Sequence, residues 1–166
     1  MTDMGQLFSI ELSPGTSKFN GEISKWDVSR ATNMVRMFYS ASSFDGDISK
    51  WDVSRVTTMV SMFASASSFN GDISNWDVSR VIDMMGMFVS ASSFNVDISK
   101  WDVSRVKAMN IMFHGASSFA QRLCGAWFAS SANKGGMFDG SSGRICVNSA
   151  IASPTTNTTS NSTTTS

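Results

Sequence analysis

The sequence repeats itself every 25 residues, and this period constrains the fold more than any single motif does. Tryptophan marks the period, and the same four residues, Asp-Val-Ser-Arg, follow Trp26, Trp51, Trp76 and Trp101. A copy this short cannot bury its own apolar side chains, whereas stacked copies can share one core. The period therefore predicts a repeat solenoid.

The copies also predict the domain organisation. Met1–Phe8 aligns with Val56–Phe63, so the chain starts in the middle of a copy, and we expect an N-terminally truncated array whose signal peptide, if any, lies upstream. The C-terminal end departs from the pattern as a terminal cap does, and it is followed by a Ser/Thr-rich segment that lacks the apolar residues for a core. The partial repeat, the four full copies, the cap and the disordered tail are predicted at residues 1–18, 19–118, 119–147 and 148–166.

Two apolar periodicities alternate inside one copy. The segment Ile48-x-x-Trp51-x-Val53 is short and rich in aromatic and β-branched residues, which predicts a strand. The apolar residues of 56–66 then recur at steps of three and four, which predicts a helix with Ser54 as its N-cap. A strand followed by a helix in every copy gives an α/β solenoid with a parallel sheet on one side and short helices on the other.

The Trp, Met and Phe columns are interpreted as core, because their spacing is that of inward-facing positions and methionine fills irregular gaps between copies. One turn differs from the others: Val96 stands where Gly21, Gly46 and Gly71 stand in the other copies. That turn therefore either has a negative φ or is strained.

Charge and motifs argue against several classes of function. The formal net charge is zero with both signs mixed in each copy, so no basic stripe for nucleic acid or anionic lipid exists, and no apolar run is long enough to span a membrane. No phosphate loop, Rossmann fingerprint or Gly-x-Ser-x-Gly is present, and the single histidine, His114, lies in a variable column that predicts exposure. We therefore expect no enzyme, no cofactor and no metal.

Two acidic columns resemble a calcium ladder, but no calcium-loop spacing accompanies them. Lysine and arginine columns nearby supply positive charge, so we interpret the acids as a solvated, mutually neutralised surface. The acids are Asp27, Asp52, Asp77 and Asp102 in one column and Glu22, Asp47, Asp72 and Asp97 in the other.

The repeat resembles a known family. Ile-x-x-Trp-x-Val has the spacing of the leucine-rich-repeat core, and the unit Asp-Ile-Ser-x-Trp-Asp-Val-Ser, Val-x-x-Met-x-x-Met-Phe and Ala-Ser-Ser-Phe-Asn is similar to the 25-residue repeat of BspA-like surface proteins. That unit also occurs in mycoplasma lipoproteins and marine microalgae, and Phe119–Cys124 resembles the exit of microalgal members into a Cys-bearing cap. The resemblance implies a leucine-rich-repeat-like solenoid on or outside the cell, without enzymatic activity.

Cys124 and Cys146 are the only cysteines. In a cytosolic chain they would be inert thiols or half of a metal site, whereas in an oxidising compartment they would form a disulfide worth about 3 kcal/mol. The tail is composed like an O-glycosylated stalk and holds two N-glycosylation sequons, at Asn157 and Asn161. These features favour an extracellular or cell-surface protein.

The expected function is binding or adhesion through the predicted sheet face. The outward positions of that face barely change between copies, which suits a repetitive ligand such as a polysaccharide; a surface protein is the other ligand class. The alternative is a wall or spacer component without a ligand site. Variation lies instead in the segment predicted to be helical, as at Tyr39, Ala64, Val89 and His114. The ligand-face candidates are Ser49, Lys50, Asp52, Ser74, Asn75, Asp77, Ser99, Lys100 and Asp102.

Overall fold

The computed structural model describes Asp3 and residues 18–147. Regular elements of the described chain are short and lie near its C-terminal end: β1 (Arg122–Leu123), α1 (Ala126–Ala129) and β2 (Arg144–Ile145), with β1 and β2 paired in parallel. The remaining described residues form turns that are hydrogen-bonded from one copy to the next. The predicted disordered tail, with Asn157 and Asn161, lies outside the described residues.

Neighbouring copies pair along one segment of each repeat, which we call the ladder segment. Parallel bridges join equivalent residues in a row that runs through Asp3, Asn33, Thr58, Asp83, Ala108 and Asn133. From each bridge, amides at alternate residues donate to the next copy, as Ser61 donates to the Met85 carbonyl at 2.9 Å and Phe63 to Met87 at 2.9 Å. The ladder segments are residues 33–40, 58–65, 83–90, 108–115 and 133–140.

The helix predicted over residues 56–66 is wrong. A helix needs each amide to bond the carbonyl four residues back. The bonded backbone amides of this segment instead donate to an adjacent copy or close β-turns onto the carbonyl three residues back, as Met62 does onto Met59 at 3.2 Å. Left-handed residues recur in every ladder segment, and Ser61 and Ser65 have φ of 53° and 60°. Ser54 caps no helix, because no helix follows it; its amide donates to the Asp52 carboxylate at 3.0 Å.

The strand predicted at residues 48–53 is also wrong. The Trp51 amide donates to the Ile48 carbonyl at 3.1 Å, which folds this segment into a turn. Its inward residues are apolar because the turn points them at the core, and Ile48, Trp51 and Val53 are all buried. Parallel pairing between copies does exist, but it lies in the segment that the apolar spacing assigned to a helix.

The predicted core columns are confirmed with one exception. The repeated Met and Phe residues of the interior copies are fully buried, and Trp51, Trp76 and Trp101 are only 2–5% exposed. Phenylalanine rings stack from copy to copy at 5.4–5.6 Å in the column that contains Phe63 and Phe88. Trp26, at the N-terminal end, is 39% exposed, so the core prediction is wrong there.

The turn at Val96 is not strained. Neither Val96 nor the glycines equivalent to it have positive φ, so the left-handed conformation is not what this column requires. The glycines instead lie against phenylalanine: a Cβ added at Gly46 would meet the Phe44 ring at 2.8 Å. Val96 is half-buried and packs on the core.

The first residues after the full copies still contribute to the tryptophan and phenylalanine columns of the core. Trp127 lies one residue beyond the position that the period assigns to tryptophan, yet it is fully buried and its indole stacks on Trp101 at 6.4 Å. Phe138 lies in a fifth ladder segment and stacks on Phe113. The disulfide between Cys124 and Cys146 is present, as predicted, and joins the residues that directly follow the paired strands β1 and β2.

Candidate functional site

The ligand-face candidates lie together on what we call the turn face, residues 47–55 and their equivalents 22–30, 72–80 and 97–105. The acids and the Lys/Asn column of the candidate set are exposed, whereas its serines are half-buried. The surface is polar throughout because every apolar residue of these segments except Trp26 points inward. A regular polar surface of the predicted composition is therefore present, on a turn and not on a sheet.

Most acids of this face hold its turns together. Asp47 accepts hydrogen bonds from both the amide and the hydroxyl of Ser49, at 3.0 and 2.7 Å. Asp52 accepts from the Ser54 amide at 3.0 Å. An aspartate that bonds the backbone two residues on forms an Asx turn, and Asp-x-Ser occurs twice in three of the four full copies; the first copy has Glu22 at one of the two positions. The candidate acids Asp77 and Asp102 bond Ser79 and Ser104 in the same way, and the candidate serines Ser74 and Ser99 bond Asp72 and Asp97.

The serine hydrogen bonds also lower the pKa of two of these carboxyls, Asp52 and Asp47. Hydrogen bonds from Ser54 lower the pKa of Asp52, and those from Ser49 lower the pKa of Asp47. Neighbouring acids oppose this: the charge of Asp27 in the preceding copy raises the pKa of Asp52, by less than the serine bonds lower it. Asp47 and Asp52 therefore remain ionised at neutral pH, and an acidic residue recurs at the same two positions from copy to copy.

Lys50, Asn75 and Lys100 are the candidates without a role in these turns. They are exposed and take no part in the Asp–Ser hydrogen bonds. A residue that the turn does not require can change without loss of the fold, so this column is the part of the turn face most open to selection by a ligand.

A second surface lies over the ladder segments and carries the variable columns. The sequence predicted that these variable columns lie on helices, but their residues lie in or beside the hydrogen-bonded ladder segments. His114 is exposed, as predicted, and Arg36 lies 5.2 Å above the Tyr39 ring. Three large apolar side chains are more than one third exposed in this region: Ile82, Met85 and Ile111. We call this surface the ladder face.

One structural column escaped the sequence analysis. The polar residue after the first Phe of each full copy accepts a hydrogen bond from the backbone amide 25 residues later, as Asn70 does from Asn95 at 2.9 Å. The signal was available, because Asn or Asp follows the first phenylalanine of every full copy. The column consists of Asn20, Asp45, Asn70 and Asn95.

Within Asp3 and residues 18–147, no three His, Cys, Asp or Glu side chains come together as a metal site would require. No helix of that part of the chain is both long and apolar enough to cross a membrane. The described part of the chain thus has regularly repeated surfaces over one buried apolar core.

Comparison with protein families identifies the class. The family described as "Mycoplasma protein of unknown function, DUF285" matches residues 1–76 and, a second time, residues 46–145. The chain belongs to this family. Comparison with curated proteins and with solved structures gave no match.

Proposed function

We propose that the chain is a non-enzymatic surface protein of the BspA-like leucine-rich-repeat type, folded as a solenoid, that acts as a binding or adhesion scaffold. The observation that carries the proposal is the pairing of equivalent residues in adjacent copies, which repeats each surface group at a fixed spacing. Groups repeated in this way make many weak contacts to a polymer, and linked weak contacts gain through effective concentration. A polysaccharide is therefore the proposed ligand.

The disulfide supports an extracellular location, since such bonds persist in oxidising compartments. Mass analysis of protein from its natural source tests this part of the proposal. The expected result is an intact Cys124–Cys146 bond and glycosylation at Asn157 or Asn161. Free thiols together with an unmodified tail would contradict it.

Titration with soluble polysaccharides, one neutral and one anionic, tests the turn face. Reversing charge at Asp52 and Asp77 would also break Asx turns, so Lys50→Ala with Lys100→Ala is the cleaner change. We expect this double variant to bind about tenfold more weakly or worse, equivalent to about 1.4 kcal/mol. The matched control is Lys18→Ala with Lys107→Ala, two exposed lysines outside the turn face, which should bind like the parent.

A protein ligand on the ladder face is the second candidate, and the exposed side chains of Ile82, Met85 and Ile111 favour it. The variant Ile82→Ser with Met85→Ser separates the two. If it abolishes binding that the Lys50/Lys100 variant retains, the binding face is the ladder face. If no polysaccharide binds any variant, the structural-spacer function replaces the polysaccharide proposal.

A further inference from the structure

The last ladder segment of the described chain has an open edge along its length, that is, a row of backbone amides that donate to no described residue. In the preceding segments, four amides at alternate residues donate forward to carbonyls of the next copy, at 2.7–3.1 Å. In the segment before the last, for example, Ile111 donates to Gly135 and Phe113 to Met137, both at 2.8 Å. The equivalent amides of the last segment donate to no described residue; they belong to Lys134, Gly136, Phe138 and Gly140.

The cap closes a different part of the same end. The Cys146 amide donates to the Leu123 carbonyl at 2.9 Å. Leu123 lies in the column of Ile98, whose carbonyl accepts the indole N–H of Trp127 at 3.2 Å. The Cys146 amide therefore bonds the carbonyl of the column that accepts an indole N–H in the earlier copies, and the disulfide holds the cap strand there. The cap strand thus pairs with the segment at Leu123 and leaves the amides of the last ladder segment unpaired within the described chain.

The aromatic column beside the ladder also ends at this segment, although the cap lies close to its last ring: a Cβ added at Gly143 would meet Phe138 at 2.8 Å. Phe113 stacks on Phe88 and on Phe138, both at 5.6 Å, so it has a neighbour in its column on each side. Phe138 stacks in that column on Phe113 alone and is half-buried. The open amides and this ring face thus lie in one segment, where a further ladder segment would contact both.

We propose that this edge binds a ladder segment of the same repeat chemistry supplied by another polypeptide, which adds as the next rung. An unpaired row of amides is a template for backbone addition, and recognition by an added strand is a known mode of peptide binding. The occupant must present carbonyls at alternate residues and an aromatic side chain over Phe138. A polysaccharide or a nucleic acid has no such row of carbonyls.

The backbone of the edge selects against an ordinary strand. Gly136 and Gly140 have φ of 63° and 76°, so the edge bends at each of them as the earlier ladder segments bend. A flat strand loses register with donors on a bent backbone, whereas a segment with left-handed residues in the same places keeps it. The occupant is therefore expected to resemble residues 83–90, with Gly86 and Ser90 at the bends.

A labelled peptide of residues 81–93 tests the proposal against the full chain. Binding is followed by fluorescence anisotropy, and amide exchange is followed by NMR. We expect the four edge amides to exchange at least about tenfold more slowly with saturating peptide, while a scrambled peptide protects none of them. Unchanged exchange at the edge, or equal protection by the scrambled peptide, would overturn the proposal.

A matched pair of variants isolates one donor. Lys134→Pro removes an edge amide that bonds nothing in the described chain, together with a side-chain contact to the Ser130 carbonyl. Lys134→Ala removes the side-chain contact and keeps the amide. With folding checked by thermal melts, we expect the proline variant to bind about fivefold more weakly and the alanine variant to match the parent. Equal binding by both refutes a role for this donor.

Sedimentation of the chain alone identifies the source of the segment. Concentration-dependent association that Lys134→Pro abolishes and Lys134→Ala retains would make the occupant a second copy of this chain. A monomer at all concentrations, with peptide binding intact, would assign the edge to a different repeat polypeptide. Association that both variants retain would place self-association elsewhere and contradict a second copy at this edge.

Discussion

Trp76 links two neighbouring copies, and its removal should uncouple them. Its indole is 4% exposed, and its N–H donates to the Ile48 carbonyl of the preceding copy at 3.1 Å. The ring also lies 6.4 Å from the Phe63 ring of that copy. Trp76→Ala therefore removes a packed side chain and an intercopy hydrogen bond at the same time.

The magnitude follows from these two parts. Truncating a buried aromatic residue to alanine costs about 3–5 kcal/mol, because the cavity closes only in part. Trp76→Phe keeps most of the apolar contact and loses the hydrogen bond. The Ile48 carbonyl retains the Trp51 amide as a donor at 3.1 Å, so this loss should be about 1 kcal/mol and not the cost of an orphaned acceptor.

Guanidinium unfolding, monitored by the remaining tryptophans, measures both variants. The expected order of stability is parent, Trp76→Phe, then Trp76→Ala. Trp26→Ala is the matched control. Because Trp26, in the first full copy, is 39% exposed, this substitution should lower the free energy of unfolding by less than Trp76→Ala does. A Trp76→Ala variant within about 1 kcal/mol of the parent, or no worse than Trp26→Ala, would refute the coupling of copies through tryptophan.

Three further predictions concern the backbone, the acids and the cap. Gly86→Ala should lower the free energy of unfolding by about 1–2 kcal/mol, because Gly86 has φ of 60°, which disfavours a residue with a Cβ. The control is Met85→Ala, at an exposed side chain, and equal melting temperatures of the two variants would contradict this prediction. The serine bonds lower the pKa of Asp52, so the stability they give is present above the unfolded value of about 3.8 and is lost as pH falls through the lower folded value. Asp52→Ala should therefore melt below the parent at pH 7 and approach it in acid, and a gap independent of pH would count against this. Reduction, or Cys124→Ser with Cys146→Ser, should lower the free energy of unfolding by about 3 kcal/mol; melts unchanged by dithiothreitol would show that the bond does not hold the cap.

The core could be predicted from the sequence, because the apolar side chains that recur every 25 residues occupy equivalent inward positions whatever the local structure is. The local structure could not, because steps of three and four fit a helix and equally fit a turn whose amides bond another copy. The left-handed column offers no single residue type as a signal: it holds Arg36, Ser61, Gly86, Ile111 and Gly136. The local structure is decided by which carbonyls accept the backbone amides. In the ladder segments these carbonyls belong to the next copy, so the pairing cannot be read from one copy alone.

Two features of the candidate surfaces were within reach of the sequence. Asp-x-Ser, which occurs twice in three of the four full copies, as at Asp47-Ile-Ser49, is an Asx-turn signal and explains why these columns are nearly uniform. The match of Met137-Phe-Asp-Gly140 to Met112-Phe-His-Gly115 marks the last ladder segment. The open edge could not be predicted from the sequence, because it depends on which backbone amides of the last ladder segment point away from the preceding copy.

Uniform columns therefore do not by themselves mark a ligand surface in this repeat. Asp52 and Ser49 are required by turns that any copy must make, so their recurrence follows from the fold alone. The Lys50 column lacks that requirement, and yet only Asn75 departs from lysine among the full copies. Lys50 and Lys100 lie beside Asp47 and Asp97, and their charge lowers the pKa of those carboxyls, so charge balance is one reason for lysine at this position. Asn75 supplies no such charge, and the Asp72–Ser74 bond of its copy is nevertheless made. The lysine column is tested first because its removal leaves every Asp–Ser hydrogen bond of the turns in place.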